Sequence, residues 1–404
     1  MLSCLVMASG VIHAEREPES VSEEVGSVDG VEDELARRDQ LEDSFRSWES
    51  PQWLEDFRDV RDEWLDEIGI NMTASYHMAG LAVYGGGDPD YGLSGDFTLS
   101  GTWEILGDTL ERPPNLVFRM RHRHRLGALA ASEVANASGG LAWNIIDGFS
   151  NSGFEIPDLH LMQEFSRADL EFRYGQMTID SHFDRHGLRS SKRAFLNRAF
   201  SSNPAVAFPR FGAGGILQWK PEGRSFDLTI GASTVQGTQN DEQVDFELGS
   251  GDLFSAIQFG RDFELHGRPA RAQVLIWHSD SVEDQRTPEG SGISATFEYW
   301  MDSTRSRLFT RVAWADGDAA DADRLISTGF AVERREADLL GLAFGVGRES
   351  GGGDDWQAVI ETFYRWQVGP TFQVTPEMQL IFGSGLEPSH PLRLVGGIRF
   401  GATF

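Results

Sequence analysis

The chain has 404 residues, a formal net charge of -28 and a mean hydropathy of -0.33. This low hydropathy, and the absence of any run of about eighteen apolar residues, exclude a protein that crosses a membrane with helices. The acidic balance excludes nucleic acid as a partner, because binding a phosphate backbone needs a basic surface. A content of 45 Gly, 27 Phe and 11 Trp with one Cys suits many strands and turns.

The first segment, residues 1–14, has an apolar stretch followed by small residues and then a charged region. This pattern is typical of a secretory signal segment without its basic start, so we expect an exported protein. Cys4 lies inside the segment, and its removal would leave a chain without thiols, as suits an oxidising compartment. The apolar run before Cys4 is too short for a lipoprotein signal.

Residues 15–68 form a strongly acidic extension. From Glu15 to Glu67 the chain carries 20 acidic residues against 6 arginines, which is half of the total excess charge. We expect this extension to be solvated and partly helical. A short amphipathic helix is predicted over residues 52–67, where apolar side chains recur at helical spacing at Trp53, Phe57, Val60 and Trp64. It would pack against the end of the following domain or serve as a plug or partner-binding element.

From residue 69 onward the chain alternates between apolar and polar residues, in segments of about ten to fourteen residues separated by turn-forming residues. Sixteen segments fit this pattern. A closed barrel of about sixteen strands is wide enough to leave an aqueous channel. The predicted strands are 71–84, 95–106, 115–127, 157–166, 168–179, 213–221, 224–237, 251–261, 269–279, 291–302, 305–316, 323–334, 338–349, 354–368, 370–383 and 390–404.

Several strands have one apolar face of the kind that contacts lipid. In the segment 356–367 this face carries Trp356 and Trp366, ten residues apart. That separation is roughly 33 Å along an extended strand. Once the strand is tilted it approaches the roughly 25 Å height of an outer-membrane apolar band, with one indole in each interfacial girdle. The last strand has an apolar face and an opposite face with Arg393 and Arg399. The sequence therefore predicts a transmembrane antiparallel β-barrel.

The stretch VFRMRHRHRL, residues 117–126, places four arginines on one face of a strand. One arginine facing the bilayer midplane costs about 2–4 kcal/mol, so this face must line the lumen. His122 and His124 lie on the opposite face, and no third ligand is evident, so no metal site is expected. The arginines of this ladder are Arg119, Arg121, Arg123 and Arg125.

A lumen lined by arginines has two functional interpretations. It could select anions by its electric field. Alternatively, arginines interleaved with carboxylates could donate to and accept from sugar hydroxyls, while an aromatic face stacks on the sugar. We favour the second interpretation because carboxylates on the same faces weaken a preference for anions. The further lumen residues predicted from alternation are Glu171, Arg173, Glu298, Trp300, Glu361, Arg365, Arg393 and Arg399.

The interval 180–212 lacks strand character and is rich in basic and aromatic residues. We expect it to fold into the lumen and narrow the channel, with Arg185 and Lys192 lining the pore; the alternative is an extracellular lid. Its start contains a string of acidic and histidine residues that could bind metal or support hydrolysis, at Asp180, His182, Asp184 and His186. Hydrogen bonds within the loop are the favoured role, and an enzyme is not expected because no GxSxG motif is present.

Five segments resemble the OprB family of carbohydrate-selective porins. They read GQMTIDSHFD, SSKRAFLNRAFSSNP, AGGILQWKP, ETFYRWQVGPTFQVTPEMQLIFGSG and VGGIRFGATF. The resemblance spans residues 69–404 and implies a sixteen-stranded outer-membrane barrel of a Gram-negative bacterium. Such a barrel passes small carbohydrates by facilitated diffusion without a cofactor. The acidic extension and the arginine ladder depart from the family pattern, so a general or anion-selective porin stays the alternative.

The expected partners follow from the same resemblance. They are small carbohydrates in transit, outer-membrane lipid with lipopolysaccharide, and the barrel assembly machinery. The chain ends on an aromatic residue, Phe404, as do outer-membrane proteins whose last strand that machinery recognises. The sequence is compatible with a monomer or a homotrimer.

Overall fold

The structure, a computed structural model, describes most of the chain after residue 64. The described residues are 65, 67–85, 90–105, 113–138, 140–237, 243–246, 251–282, 288–301, 306–335, 338–351, 355–369, 371–383, 385–386 and 391–404. The predicted signal segment, the acidic extension and nearly all of the helix predicted over 52–67 lie outside these residues.

Sixteen antiparallel strands close into one barrel in which each strand pairs with its neighbours in sequence. The last strand pairs with the first along ten residues, from Ser75↔Thr403 to Tyr84↔Leu394, and so leaves no open edge. The strands are β1 Ile70–Tyr84, β2 Asp90–Glu104, β3 Asn115–Arg125, β4 Gly153–Phe165, β5 Leu170–Met177, β6 Gly212–Trp219, β7 Phe226–Thr234, β8 Leu253–Leu265, β9 Arg268–Ser279, β10 Gly290–Trp300, β11 Arg307–Gly317, β12 Ala322–Arg335, β13 Asp338–Glu349, β14 Trp356–Gln367, β15 Phe372–Gly383 and β16 Leu392–Thr403.

The predicted fold class is confirmed, and each predicted strand corresponds to one strand of the barrel. Boundaries differ most at β2, which begins at Asp90 instead of residue 95. Polar and glycine residues at its start, which read as a turn in the sequence, extend the pairing with β1 as far as Val83↔Asp90. Pairing with a neighbouring strand therefore overrides local turn propensity here.

The two faces of each strand have different surroundings. On β14, Trp356 and Trp366 are both 43% exposed and face outward, whereas Glu361 and Arg365 between them are buried on the inner face. On β16, Leu392, Ile398 and Phe400 are exposed, while Arg393 and Arg399 are buried inside. This alternation gives the barrel an apolar outer surface and a polar inner surface.

The connections at the two ends of the barrel differ in length. Those at the end that holds the start of β1 and the end of β16 are mostly short, such as residues 266–267 between β8 and β9; we call this the turn end. Those at the other, loop end include residues 126–152 and 178–211. Short periplasmic turns and long extracellular loops are the rule for such barrels, so the loop end faces outward from the cell.

Among the described residues from β1 onward, helices occur as short segments in the connections between strands. The helices are α1 Ala131–Ser138 and α2 Arg198–Ser201, and the 3₁₀ turns are Ser166–Ala168 and Ile179–His182. Among the described residues no helix is long and apolar enough to cross a membrane.

The interior of the barrel is largely filled by two connections from the loop end. Residues 178–211, which we call the inner segment, are almost all buried. Aromatic side chains of this segment pack against the barrel wall: the rings of Phe195 and Phe363 lie 5.0 Å apart between centroids, and those of Phe195 and Phe309 lie 6.0 Å apart. The second connection, residues 126–152, contributes Trp143, Ile145 and Phe149 to the same apolar cluster. The barrel therefore has a hydrophobic core inside its lumen.

Candidate pore lining

The arginine ladder of β3 faces the barrel interior, where three of its four members pair with carboxylates. Arg121 Nε donates to Glu155 Oε2 at 2.7 Å, and Arg123 Nε donates to Asp96 Oδ2 at 2.7 Å. Arg119 forms an ion pair with Asp158. The partners come from the neighbouring strands β2 and β4, whose polar inner positions are in register with the arginines. The ladder is thus a charge-compensated wall of donors and acceptors.

The fourth member, Arg125, has a different position. It is exposed at the loop end of β3, and its guanidinium donates to the carbonyl of Ala128 at 3.4 Å. It therefore belongs to the rim of the barrel instead of the buried part of the ladder.

The histidines between these arginines lie on the outer surface. The Nδ1 atoms of His122 and His124 are 3.2 Å apart, and His124 Nε2 is 3.1 Å from the hydroxyl of Tyr76. Within the described part of the chain, no group of three or more His, Cys, Asp or Glu side chains is arranged to hold a metal ion.

Asp184 holds the inner segment to the barrel wall. Its carboxylate accepts hydrogen bonds from Ser294 Oγ at 2.9 Å and Thr296 Oγ1 at 2.8 Å on β10. Arg311 of β11, which is fully buried, pairs with the same carboxylate at 3.0 Å. Asp184 also has a φ of 51°, a left-handed conformation that non-glycine residues rarely adopt. The buried contacts hold this conformation in place.

Three predicted lining residues of β14 and β16 bind the backbone of the inner segment. Glu361 accepts from the N–H groups of Leu196 and Asn197, at 2.6 and 2.9 Å. Arg365 donates to the carbonyl of Arg193 at 3.0 Å, and Arg399 donates to that of Ala194 at 2.7 Å. All three are buried, and their side chains hold the inner segment instead of facing open lumen.

Glu298 and Trp300 of β10 also have partners on the inner face. Glu298 accepts from the N–H of Gly187 in the inner segment at 2.8 Å. The guanidinium carbon of Arg307 lies 5.4 Å from the centre of the Trp300 ring. One face of the indole that we expected to stack on sugar therefore contacts a cation.

The remaining predicted residues are distributed around the interior. Arg173 Nε donates to Glu171 at 2.6 Å on β5. Lys192 of the inner segment donates to Thr98 Oγ1 at 2.9 Å. Arg393 donates to the carbonyl of Gly85 at the loop end.

A polar cavity of about 30 Å³ lies between the inner segment and the wall formed by β6 to β10. Arg185 and His182 of the inner segment line one side. The opposite side carries polar residues that the sequence did not single out: Gln218, Asp227, Thr229, Gln258, Arg271 and Gln273. Each occupies an inner position of its strand, and the period-2 alternation of polar residues in β6 to β9 is the signal that could have indicated them.

Titratable side chains of the inner segment have pKa values shifted by burial. Burial, together with the nearby guanidinium groups of Arg311 and Arg189, lowers the pKa of His186 well below 6.5. Burial and neighbouring arginines likewise lower the pKa of His182. Burial raises the pKa of Asp180, although Arg189 beside it opposes the shift. Both histidines are therefore neutral at physiological pH.

The neutral state of His186 agrees with its contacts. Its Nε2 is 3.0 Å from the carbonyl of Phe200, and its Nδ1 accepts from the N–H of Leu188 at 3.3 Å. Its ring also stacks on Phe309 at 3.8 Å between centroids. These contacts need one protonated and one unprotonated ring nitrogen.

Comparison with known proteins places this barrel among outer-membrane porins. Residues 283–404 match the family model described as "Carbohydrate-selective porin, OprB family". The resemblance to the OprB family is confirmed. The chain is thus a β-barrel of the bacterial outer membrane that is similar to OprB-family porins over residues 283–404.

Individual proteins are also similar to this chain in sequence or in fold. The chain is 23% identical to "Porin AaxA" of Chlamydia felis over 282 residues, which cover 67% of this chain and 62% of that relative. The match therefore spans less than two thirds of the relative's length. The high-pH structure of Pseudomonas putida OprB has a TM-score of 0.70 at 14% identity, covering 86% of this chain and 97% of that one. The low-pH structure of the same protein has a TM-score of 0.55, also at 14% identity, covering 90% and 100%. These two likenesses concern the fold.

Proposed function

We propose that this chain is a porin that passes small carbohydrates across the outer membrane by facilitated diffusion. The observation that carries the proposal is the family match of residues 283–404 to carbohydrate-selective porins. The inner surface supports it, because polar side chains of both charges line the lumen and offer donors and acceptors at close spacing. No energy source is needed for passage down a concentration gradient.

The charge pairing of the ladder favours neutral solutes over anions. An unpaired row of arginines would create a strong positive field, whereas Asp158, Glu155 and Asp96 each place a carboxylate beside a ladder guanidinium. Glu155 also pairs with Arg210, and Asp96 also pairs with Lys192. Sugar hydroxyls act as donors and acceptors at once, so a wall with both kinds of group suits them. A general or anion-selective pore would not need this compensation.

The inner segment forms the narrow part of the proposed path. The cavity of about 30 Å³ beside it has room for one or two water molecules. A sugar is larger than that, so its passage requires side chains at the edge of the cavity, such as Arg185 and Arg271, to move. The amides and neutral histidine of this cavity are suited to hydrogen bonding with sugar hydroxyls in transit.

Liposome swelling tests the proposal. Proteoliposomes containing the full chain should swell faster in a monosaccharide than in a zwitterionic amino acid of similar size. Replacement of a paired ladder residue, Arg121→Gln, should slow swelling in sugar because a lumen donor is lost, whereas His122→Gln on the outer face of the same strand should not. Swelling rates that depend on solute size alone, with both variants like the wild type, would contradict carbohydrate selectivity.

A further inference from the structure

Three side chains at the loop end form a hydrogen-bonded series on the outer surface of the barrel. Ser291, the second residue of β10, is the direct partner of His278 on β9. The Ser291 Oγ and His278 Nδ1 atoms are 2.8 Å apart. On the other side of the ring, His278 Nε2 lies 3.0 Å from Asp280 Oδ1. This group is separate from the lumen, since all three residues lie on the outer face or just beyond the strand.

The carboxylate of Asp280 is held in position by the backbone. Its second oxygen, Oδ2, accepts from the N–H of Leu253 at 2.9 Å. This hydrogen bond and the neighbouring His278 lower the pKa of Asp280, which keeps it ionised. An ionised carboxylate beside Nε2 favours the proton on that nitrogen, so Nδ1 keeps a free lone pair directed at the hydroxyl of Ser291. A hydroxyl, a base and an orienting carboxylate in series are the arrangement of an activated serine nucleophile.

The group lies at the level where lipid headgroups meet hydrocarbon. Trp314 projects from the outer face of β11 and is 52% exposed. It pairs with Ile293 of β10, which lies two residues further into the membrane than Ser291. An outward-facing tryptophan at that height belongs to the aromatic girdle at the membrane interface. His278 and Asp280 have side chains that are each 42% exposed. The ester bonds of outer-leaflet lipids lie at this same boundary and would reach the serine.

An apolar trough of about 800 Å³ on the outer surface begins at Ser291 and His278. Its volume falls in the range of about 300–1,000 Å³ that is usual for ligand pockets. Small residues form the floor of the trough. They pair with one another across adjacent strands in a row that ends at His278: Gly215, Ala232 and Ser255. Larger side chains pair in the next row and form a wall: Leu217, Ile230, Ile257 and Ile276. The trough is one residue row wide, a shape that accommodates an extended acyl chain.

We propose that Ser291, His278 and Asp280 hydrolyse a fatty-acyl ester of an outer-leaflet lipid, with the acyl chain lying in the trough. Ser291 Oγ is the nucleophile, His278 is the general base, and Asp280 orients the imidazole. The source of the ester is either a glycerophospholipid or an acyl-bearing lipopolysaccharide, which share this chemistry.

The reaction proceeds in two balanced steps. In the first, Ser291 Oγ bonds to the ester carbonyl carbon while His278 Nδ1 takes the hydroxyl proton. The bond from that carbon to the alcohol oxygen breaks, and His278 returns the proton to the leaving alcohol. In the second, water attacks the acyl-serine, His278 takes a proton from the water, and Ser291 leaves with that proton as the free fatty acid departs. Asp280 stays ionised throughout and stabilises the imidazolium.

The test uses the full chain in detergent micelles, with 4-nitrophenyl palmitate as substrate and a fluorophosphonate as covalent probe. We expect the probe to label Ser291, as located by peptide mass, and nitrophenol to be released. Ser291→Ala and His278→Ala should each lower the hydrolysis rate by about 10⁴-fold or more, the usual scale for loss of a triad member. Thr310→Ala, which removes another hydroxyl from the outer surface of β11, should leave the rate unchanged.

Two further arms identify the source of the ester and separate this site from the channel. Release of fatty acid from phospholipid vesicles or from lipopolysaccharide shows which lipid supplies the ester, and either result supports the proposal. Single-channel conductance should be the same in wild type and Ser291→Ala, and this readout also shows that the variant folds. The proposal is overturned if the folded wild type neither labels at Ser291 nor hydrolyses the ester faster than Ser291→Ala.

Discussion

At the scale of single residues, Asp184 links the inner segment to the wall. It receives two hydroxyl hydrogen bonds from β10 and the guanidinium of Arg311, and Asn203 Nδ2 donates to it at 2.6 Å. These partners come from two strands and from the far end of the same segment. One carboxylate therefore joins three parts of the interior.

Replacing Asp184 with Ala should loosen the inner segment without opening the barrel. Removing one partner of a buried ion pair costs about 3–5 kcal/mol, because the remaining charge stays buried. Hydrogen exchange of residues 178–211 should accelerate accordingly. Asp262→Asn is the control: that carboxylate is 54% exposed in its pair with Arg271, and such pairs are worth about 0–1 kcal/mol. Equal exchange in both variants would show that Asp184 does not hold the segment.

The neutral histidines make the inner segment sensitive to acid. The unfolded segment takes up protons near pH 6.5, whereas packed His182 and His186 have pKa values well below that. The unfolded state therefore binds more protons as the pH falls below 6.5, and the free energy of unfolding of the segment decreases. Asp180, whose pKa burial raises, acts in the opposite direction at lower pH.

We expect hydrogen exchange of residues 178–211 to show increased local opening between pH 7 and pH 5.5, after correction for the intrinsic rate. The double variant His182→Gln and His186→Gln is the control and should lose most of this dependence. An opening free energy that stays constant over this range in the wild type would contradict the burial of neutral histidines.

At this scale, the residue types of the interior are predictable from the sequence, whereas most of their contacts are not. Of the residues Asp180 to His186, for which hydrogen bonds within the loop are predicted, His186 makes only such bonds. The Asp184 carboxylate bonds to Asn203 in the segment but mainly to β10 and β11. By contrast, Ser291 and His278 lie thirteen residues apart and meet only because β9 and β10 pair in a particular register. No local motif encodes that register, so a search for spaced catalytic motifs could not find the pair.

At the scale of elements, strands were predictable because each carries its own period-2 pattern. The faces of β3, β14 and β16 could be assigned from the sequence alone, since arginine cannot face lipid at low cost. The partners of these arginines could not be assigned. Arg121 contacts Glu155 across a β-bulge, where the register between β3 and β4 shifts, and Arg365 contacts a segment 172 residues away in sequence. Both contacts depend on tertiary structure.

The lipid-facing surface of β14 gives a quantitative prediction. Ile360 lies near the midpoint between the two outward-facing tryptophans of this strand, so Ile360→Arg should place a charge near the bilayer midplane. The expected loss in the free energy of folding into lipid vesicles is about 2–4 kcal/mol, against about 0–1 kcal/mol for Trp356→Arg at the interface. Urea titration of vesicle-folded protein measures both. Equal losses would contradict the proposed position of the membrane.

At the scale of the whole molecule, closure of the barrel was predictable and its interior was not. An even number of long strands, with a last strand able to pair with the first, indicated a closed barrel with an aqueous channel. The structure instead fills much of the lumen with the inner segment and residues 126–152, around an apolar cluster that includes Phe195, Phe309 and Phe363. The basic and aromatic residues of the inner segment predicted that it folds into the lumen. They did not indicate which apolar residues of the wall it covers.

The filled interior alters the role of several lumen residues. Glu361, Arg365 and Arg399 hold the inner segment, while the polar residues of β6 to β9 beside Arg185 and His182 remain next to the cavity. Solute selection is therefore expected on the side of β3 to β10, where the charge-paired ladder and the cavity lie. Carbohydrate selectivity requires that neutral sugars enter this space more readily than anions do.

Single-channel recording in a planar bilayer tests that claim most directly. A small neutral sugar, added to either side, should reduce the ion current of the wild-type channel in a saturable way, because the sugar occupies the polar space through which ions pass. Phosphate at the same concentration should have little effect, since carboxylates compensate the ladder arginines. A current that phosphate blocks and sugar does not would contradict the carbohydrate-selective account.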